Sequence, residues 1–320
     1  MSSRILCAAF GLALVLAPTG QAAAHCFVGA RFFPATLVTD DPCVADEMSL
    51  PTLSFSSANP SGRENDVGVD FAKRITENFG ITVGTTWTFV RPPANDATLG
   101  TSASGFQNLD TAFQYQVLKD AQHEFALLAG LVVEWGSTGA AGVGAPPWST
   151  LQPTVYFGKG FGDLPDNLGL IRAFAITGQV GYQVPTTSFD LTNQVPISQN
   201  LAYGASLQFS FPYLKSNVID LELPNFINHL IPIVEAQFLS PVANNDGNPW
   251  ITTGTVNPGV IWVGDYFQVG VEAIIPINRA SGTNIGAIAQ LHFYLDDIFP
   301  NSIGRPLIGS APPPQKPFGD

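Results

Sequence analysis

The sequence predicts an all-β protein, a transmembrane antiparallel β-barrel of about twelve strands. Apolar residues recur at every second position over long stretches, which is the period of a strand with one apolar face. Only 12% of the 320 residues are charged, about half the usual share in soluble domains. The mean hydropathy is nevertheless only +0.19, and no apolar run beyond the N-terminus reaches the roughly 18 residues that a spanning helix needs. A protein that crosses a membrane with strands fits all three observations.

Residues 1–24 have the parts of a secretory signal peptide. Arg4 supplies the positive charge, residues 5–17 form a short apolar core, and Ala22-Ala23-Ala24 offers a cleavage site with small side chains. Cleavage there makes His25 the first residue of an exported protein. We expect no lipid anchor, because His25 is too large for the position before a lipoprotein cysteine.

Residues 25–46 are predicted to be either a periplasmic tether or a plug in the mouth of the barrel. Cys7 leaves with the signal peptide, so Cys26 and Cys43 remain as a pair in an oxidising compartment. A disulfide is the favoured prediction. It would close a loop of about 18 residues. On the chain-entropy model, such a cross-link stabilises the folded state by about 3 kcal/mol. An N-terminal histidine can chelate copper, but no second histidine is placed to help, so no metal site is predicted.

The clearest element is a hairpin from Leu109 to Trp135. Its apolar face carries Phe113 and Leu131, while the opposite face is polar or small. Each strand has roughly 9–11 residues, the length that a tilted strand needs to cross a bilayer. A polar turn at residues 119–123 separates the two strands. The mixed second face predicts contact with a wet interior and not with a second apolar core.

The same alternation recurs on both sides of this hairpin, so the barrel is predicted to span residues 47–295. The other strands are expected near residues 47–57, 67–75, 81–89, 151–158, 170–182, 201–211, 230–238, 256–262, 267–277 and 285–295. Residues 58–66 are expected to form a loop, and residues 215–228 break the pattern. Long loops and short turns mostly alternate, which predicts short turns and both termini on the periplasmic side. Residues 296–320 are rich in proline and predict an irregular tail.

Outward aromatic side chains are expected to gather in two girdles at the strand ends. One girdle comprises Trp87, Phe89, Trp135 and Phe238, and the other comprises Phe125, Phe157, Phe211, Trp262, Phe267 and Phe293. Lys73 and Arg172 break the outward apolar frame, but both lie beside short turns. Their long side chains can reach the interface there.

The opposite, inward face supplies the candidate lumen-lining residues. They are Asp70, Arg74, Asp110, Gln114, Glu134, Gln179, Gln208, Glu235, Glu272, Gln290 and His292. The carboxylates either line a pore that favours cations or pair with Arg74, tyrosines or water. Apolar residues share this face: Leu128, Val132, Ile231, Ile233, Ile261, Ile274 and Ile288. Such a lumen suits a partly apolar solute or a plug made from the chain itself.

The sequence contains no motif of a known catalytic class. No phosphate-binding loop, His-Glu-x-x-His zinc motif or Gly-x-Ser-x-Gly elbow is present. His292 needs a serine and an orienting partner to act in an esterase, and no local motif supplies them. We therefore expect a hydrogen-bonded lumen histidine, no enzymatic activity and no cofactor. A formal net charge of −12 argues against nucleic acid as a partner.

Both ends of the mature chain resemble a family of proteobacterial outer-membrane transporters named for the meta-pathway of phenol degradation. The segments are Phe33-Pro34-Ala35-Thr36-Leu37, Asp40-Asp41-Pro42, Asp46-Glu47-Met48-Ser49-Leu50-Pro51 and Leu295-Asp296-Asp297-Ile298-Phe299-Pro300. This resemblance implies a barrel that admits small, often aromatic, compounds, and it assigns no binding residue.

Together these features predict a channel in the cell outer membrane for passive uptake of small solutes, aromatic or partly apolar compounds among them. Its expected partners are outer-membrane lipid, the solutes and the outer-membrane assembly machinery. A closed structural or surface-interaction barrel and an outer-membrane lipid hydrolase are the alternative functions. A soluble periplasmic β-sandwich is the alternative fold, and it requires the apolar faces to be buried between two sheets.

Overall fold

A closed antiparallel β-barrel dominates the computed structural model, which describes residues 25–56, 62–92 and 102–309. Its strands are β1 (Glu47–Ser56), β2 (Arg63–Arg74), β3 (Phe79–Arg91), β4 (Leu109–Asp120), β5 (Phe125–Trp135), β6 (Thr150–Gly160), β7 (Phe174–Pro185), β8 (Gln199–Phe209), β9 (Leu230–Ala243), β10 (Thr253–Val263), β11 (Phe267–Pro276) and β12 (Gly286–Tyr294). The predicted signal peptide, residues 1–24, and the end of the tail, residues 310–320, lie outside the described residues.

Each strand pairs with its neighbours in the chain, and β12 closes the barrel by pairing with β1. Tyr294 lies opposite Glu47 at this seam. In the central hairpin Leu109 lies opposite Trp135 and Phe113 opposite Leu131. The predicted twelve-stranded barrel is therefore confirmed.

The outer face of the barrel is apolar and exposed, whereas its buried inner face carries polar side chains beside apolar ones. The outward side chains of Phe55 and Val180 are each 51% exposed, whereas the inward side chains of Glu235 and Thr177 are fully buried. Leu131 is 38% exposed, so the soluble sandwich, which needs it sealed between two sheets, is ruled out. An exposed apolar belt around a closed barrel is a surface for lipid.

The two ends of the barrel differ. At one end, called the short-turn end, residues 75–78, 121–124 and 264–266 make compact turns, and both ends of the barrel domain lie there. The six connections at the opposite end, the long-loop end, include a short strand, Ala103–Phe106, a 3-10 turn, Ala141–Val143, and a small ribbon of Phe189–Asp190 with Val195–Pro196.

Two connections at the short-turn end are longer than predicted. Residues 170–173, expected to begin a strand, belong to the 3-10 segment Asp166–Ala173, and β7 starts at Phe174. Phe211, expected on a strand, opens helix α1 (Phe211–Asn217) because the Ser210 side chain caps the backbone N–H of Tyr213 and a proline occupies the first turn.

Helices α2 (Asn225–Asn228) and α3 (Leu295–Ile298) complete the short-turn end. None of the helices in the described part of the chain is long and apolar enough to cross a membrane. At the long-loop end β2 begins at Arg63, inside the predicted loop, because residues 63–66 continue the ladder with β3. The Lys73 ammonium bonds Asp46 at 2.5 Å and carbonyls of the tail.

Candidate functional site

Residues 25–46, here called the plug, lie inside the barrel at its short-turn end. Phe27–Val28 and Arg31–Phe32 form a small ribbon. Gly29 turns this ribbon with a φ of 64°, and a Cβ there would lie 2.5 Å from the carbonyl oxygen of Ala121. Only glycine fits such a turn. A disulfide between Cys26 and Cys43, with Cα atoms 5.3 Å apart, joins the two ends of the plug loop.

Apolar plug side chains cover the apolar part of the lumen wall. Phe27, Phe32 and Leu37 form one buried cluster with wall residues. The wall side of that cluster consists of Ile231, Ile233, Ile261, Val263, Ile288 and Tyr294, with Ile274 packed against it. Val44 packs in the same way with Leu128 and Tyr156. Side chains of the chain itself therefore cover this apolar part of the inward face.

Glycines on the wall make room for the plug. A Cβ on Gly270 would lie 2.4 Å from the Cδ1 atom of Leu37, and a Cβ on Gly158 would lie 2.6 Å from the Cγ atom of Pro42. Contacts this short do not occur between real side chains, so a larger residue at either position displaces the plug. These inward glycines are the sequence signal that could have located the plug.

Arg31 fastens the plug to the short-turn end. Its fully buried guanidinium donates from Nε to Glu124 at 3.0 Å and from Nη1 and Nη2 to the carbonyls of Ala173 and Arg172. The guanidinium also lies 3.5 Å from the ring centroid of Tyr213, whose hydroxyl donates to Glu124 at 2.5 Å. Each of the three guanidinium nitrogens of this buried cation therefore donates to an acceptor, and the Tyr213 ring covers its face.

His25 binds the start of the plug to helix α3, which follows the last strand of the barrel. Its backbone N–H donates to Asp296 at 2.9 Å, and its ring nitrogens lie against the carboxylates of Asp296 and Asp297. Burial opposes the charge on this ring, but the two carboxylates outweigh it and raise the pKa of His25 from 6.5 to about 9. A charged His25 therefore links the start of the plug to α3.

Docking of the plug is expected to weaken as the pH rises through about 9. The folded pKa of His25 exceeds its unfolded value of 6.5, so its contribution is complete below pH 6.5 and disappears above the folded pKa. A shift of this size corresponds to about 3 kcal/mol. Thermal unfolding midpoints at pH 6 and pH 10 test this.

Two histidine variants separate this effect from other alkaline titrations. His25→Gln should lose most of the pH dependence, because its neutral side chain does not titrate. His123→Gln is the matched control, since His123 lies on an exposed turn beside Asp120, and this variant should keep the pH dependence of the parent. An unchanged pH dependence in His25→Gln would refute the assignment.

The middle of the plug bonds to polar wall residues. Glu235, buried at the centre of β9, accepts from the backbone N–H of Val38 at 2.6 Å and from the Thr39 hydroxyl at 3.0 Å. Gln179 accepts from the backbone N–H of Asp40 at 3.1 Å. These residues were predicted to line a lumen, and they do face it, but what they meet there is the plug.

The plug meets the wall on every side. Strand β1 continues directly from it, and strands β2 to β12 each supply a residue that packs on, bonds to or closely approaches it. These residues are Arg74, Gly80, Gln116, Leu128, Gly158, Ala175, Gly204, Glu235, Ile261, Gly270 and Tyr294. We infer that the plug closes the cross-section of the barrel in this conformation.

On the side of the plug that faces the long-loop end, the lumen contains a cavity of about 310 Å³. Its floor is the plug segment 35–43, and its walls come from strands β1 to β5 and β12. Asp40 of the plug and Asp70 and Asp110 of the wall are exposed within the barrel. Asp70 lies over Gly84, where a Cβ would be 2.1 Å from its Oδ1 atom. The cavity is therefore acidic and large enough for a small molecule.

The predicted lumen residues divide into groups. Those on the cavity are Asp70, Asp110, Gln114, Gln290 and His292. Three others were expected to line an open pore but do not line the cavity. Arg74 is buried and donates to Asp46 at 2.8 Å. Glu134 accepts from Asn108 at 2.8 Å, and Gln208 donates to Ser206 at 2.8 Å. Glu272 is buried in the wall. The partners differ from those predicted for the inward carboxylates, because Arg74 bonds Asp46 of the plug and Glu134 bonds the amide of Asn108.

The structure also brings together three cavity residues that are far apart in the sequence. The Ser49 hydroxyl lies 2.9 Å from Nδ1 of His292, and Nε2 of His292 lies 3.1 Å from a carboxylate oxygen of Glu47. His292 is a hydrogen-bonded lumen histidine, as expected, but its partners are a serine and a carboxylate that no local motif announces. Sequence reasoning missed them because closure of the barrel, which no local motif encodes, pairs β12 with β1.

Two clusters in the described residues have metal-ligand chemistry. Cys26 and Cys43 lie beside Asp41, but a disulfide removes the thiolates that a metal would bind. In the second cluster His25 lies between Asp296 and Asp297, where an imidazolium between two carboxylates accounts for the arrangement. No cofactor site is assigned.

No protein-family model and no curated protein sequence matches the chain. Similar solved structures include a KdgM porin, at 7% identity and a TM-score of 0.45, over 77% of this chain and 98% of that chain. A NanC porin matches at 6% identity and 0.45, with the same coverage. The outer membrane phospholipase A from Escherichia coli matches at 9% identity and 0.37, over 80% of this chain and 94% of that chain. The assignment of the fold rests on the strand pairing of this chain itself.

Proposed function

We propose that the protein is an outer-membrane channel for passive passage of small solutes, closed in this conformation by its own plug. The observation that supports the proposal is that a segment of the chain closes the lumen cavity at one end. The cavity ends on residues 35–43, a segment that enters from one end of the barrel, and not on side chains that meet from opposite walls. A barrel closed in this way opens when the segment moves.

The size of the barrel supports this proposal. Barrels of about eight strands are filled by their own side chains, whereas those of about 16 to 18 strands leave an aqueous channel. Twelve strands give an intermediate width, and here the additional space holds the plug and the cavity. Passage down a concentration gradient needs no cofactor.

The proposed orientation follows from the two unlike ends. Short turns of bacterial outer-membrane barrels face the periplasm and long loops face outward. This places the plug on the periplasmic side and the cavity above it, toward the exterior. Outer-membrane lipid is the proposed partner of the apolar belt, and the outer-membrane assembly machinery is the proposed partner during insertion.

The charge of the cavity suggests its solutes. Its lining includes five carboxylates but neither lysine nor arginine. They are Asp40, Asp41, Glu47, Asp70 and Asp110. Acidic linings favour cations, so we propose neutral or cationic small solutes. Small aromatic compounds are the class that the resemblance to the phenol-degradation family implies, and Val132 and Leu37 give them some apolar contact.

Asp70→Asn combined with Asp110→Asn is expected to reduce the cation preference of the open barrel several-fold. Both carboxylates lie on the wall of the cavity, and their removal leaves a weaker negative potential there. The measurement is the reversal potential in a salt gradient across a planar bilayer, with residues 25–46 deleted so that current flows.

The matched control for this pair is Glu77→Gln combined with Asp220→Asn. It removes the same two charges from exposed positions in the turns outside the cavity. The control should keep the reversal potential of the parent. An equal shift in both double variants would show that net charge, and not the cavity, sets the selectivity.

A further inference from the structure

We propose that Ser49, His292 and Glu47 form a hydrolytic site for small esters on the wall of the lumen cavity. All three residues line that cavity, and two hydrogen bonds connect them. This activity goes beyond passage of solutes. Because a barrel that never conducts could still hydrolyse an ester, conductance and hydrolysis are tested separately.

The first support is the relative position of the three side chains. Ser49 and His292 lie opposite each other on paired strands, and Glu47 lies two residues before Ser49 on the same face of β1. The two contacts, 2.9 Å and 3.1 Å, fall within the range expected of a nucleophile, a base and a group that orients the base. Triads of this kind recur on unrelated folds and are recognised by geometry.

The second support is that each ring nitrogen of His292 has its own hydrogen-bond partner. When Nε2 of His292 carries the proton, it donates to Glu47, and the lone pair of Nδ1 then accepts from the Ser49 hydroxyl. Either nitrogen of a neutral imidazole can take either role. Glu47 therefore positions the ring and selects the tautomer, while His292 acts as the base.

The third support is local irregularity in both strands. The pairing of β1 with β2 shifts between Ser49 and Thr52, and the pairing of β12 with β1 shifts between Gln290 and His292. Bulges of this kind redirect side chains and are frequent beside active sites.

The proposed acylation step follows from these contacts. The Ser49 Oγ atom attacks the carbonyl carbon of the ester while its proton passes to Nδ1 of His292. The resulting imidazolium is stabilised by Glu47. Collapse of the tetrahedral intermediate breaks the bond between the carbonyl carbon and the alcohol oxygen, and Nδ1 returns the proton to that leaving oxygen.

Deacylation uses lumen water as the second reactant. Water loses its proton to Nδ1 and attacks the acyl carbon, and collapse returns that proton to Oγ as the acid departs. We assign Thr52 as the side-chain donor to the oxyanion. It lines the cavity, and its hydroxyl accepts from Nε2 of Gln290 at 3.1 Å, which leaves its own proton for another acceptor.

The surroundings restrict the substrate. Asp70 lies opposite Ser49 on β2, and the cavity is otherwise acidic, so carboxylate-bearing esters are repelled and neutral or cationic esters are accepted. The site faces the lumen and not the lipid. A cavity of about 310 Å³ admits a short-chain ester and excludes a membrane phospholipid. The proposed substrates are therefore small esters from the lumen and not the membrane lipids of the alternative lipid hydrolase.

The first test is covalent labelling of the folded, full-length protein in detergent with a short-chain alkyl fluorophosphonate. Mass spectrometry of the digested protein should place one adduct on Ser49. Labelling should disappear in His292→Gln, which retains a polar side chain but lacks the base. Absence of an adduct on Ser49 in protein that shows heat-modifiable gel migration overturns the proposal, and this test needs no variant that must fold.

The second test is hydrolysis of 4-nitrophenyl acetate. Ser49→Ala should reduce kcat/KM by at least about a thousandfold, because loss of the nucleophile removes the covalent route. Ser206→Ala is the matched control, because Ser206 is a buried serine on β8 bonded to Thr177 and Gln208. Equal rates in Ser49→Ala and Ser206→Ala overturn the proposal.

Glu47→Gln tests the positioning role. It should lower kcat at least tenfold and leave KM nearly unchanged, because Glu47 touches the ring and not the substrate. Glu47→Asp should restore part of kcat. A change confined to KM would contradict the role.

Discussion

Deletion of residues 25–46 is expected to raise the single-channel conductance by about tenfold or more, since an unfilled barrel of this width carries water. The plug contacts the wall on all sides, and its removal empties the short-turn half of the lumen. Planar bilayers are the measurement, with the full-length protein as reference. Equal conductance of both forms would support the alternative of a closed structural barrel.

A substitution provides a second route to the same result without shortening the chain. Gly158→Leu places a side chain where Pro42 and Phe33 now lie, so it should displace the plug and raise the conductance. Gly142→Leu is the control, because Gly142 lies in a long loop with its nearest neighbour, the Cβ of Ala103, 3.7 Å away. Heat-modifiable migration verifies that each barrel has folded.

Arg31→Met is expected to destabilise plug docking by about 3–5 kcal/mol, because removing one partner leaves the other charge buried and unpaired. Glu124 loses its counter-ion and Tyr213 loses the cation above its ring. Amide hydrogen exchange in residues 25–46, followed by mass spectrometry, should accelerate by roughly a hundredfold or more, since about 1.4 kcal/mol corresponds to a factor of ten.

The double variant Arg31→Met with Glu124→Gln should recover part of this loss, because no unpaired charge remains. Arg63→Met removes an arginine from an exposed position at the long-loop end and should leave exchange in the plug unchanged. Similar exchange in Arg31→Met and Arg63→Met would show that the plug is held elsewhere.

Strand alternation predicted most of the barrel. The hairpin from Leu109 to Trp135 forms as predicted and pairs regularly from Leu109 to Gln116. A bulge between Gln116 and Leu118 then shifts the register, and the turn falls at residues 121–124 instead of 119–123. The pattern failed where local chemistry competed with it. Residues 170–173 look like strand residues by their apolar spacing but form a 3-10 turn, and Pro212 converts the end of an expected strand into α1.

The site could be predicted only in part. Alternation identifies an inward residue such as Asp70 or Glu235, but it does not say whether the partner across the lumen is water, a solute or the chain itself. Ser49 and His292 come together through a pairing over 243 residues. Their contact depends on the number of strands and the register of closure, and both are properties of the whole barrel.

The contact of His25 with Asp296 also bears on the mechanical weak point of the barrel. Each neighbouring pair of strands is joined by a connecting loop except β12 and β1, which no connecting loop links. His25 spans 271 residues to reach Asp296 beside this junction, and the backbone N–H of Leu295 donates to the carbonyl of Asp46 at 3.0 Å. The contacts between the two chain ends thus reinforce the one seam that no connecting loop spans, so a lateral opening toward the bilayer at this seam requires them to break.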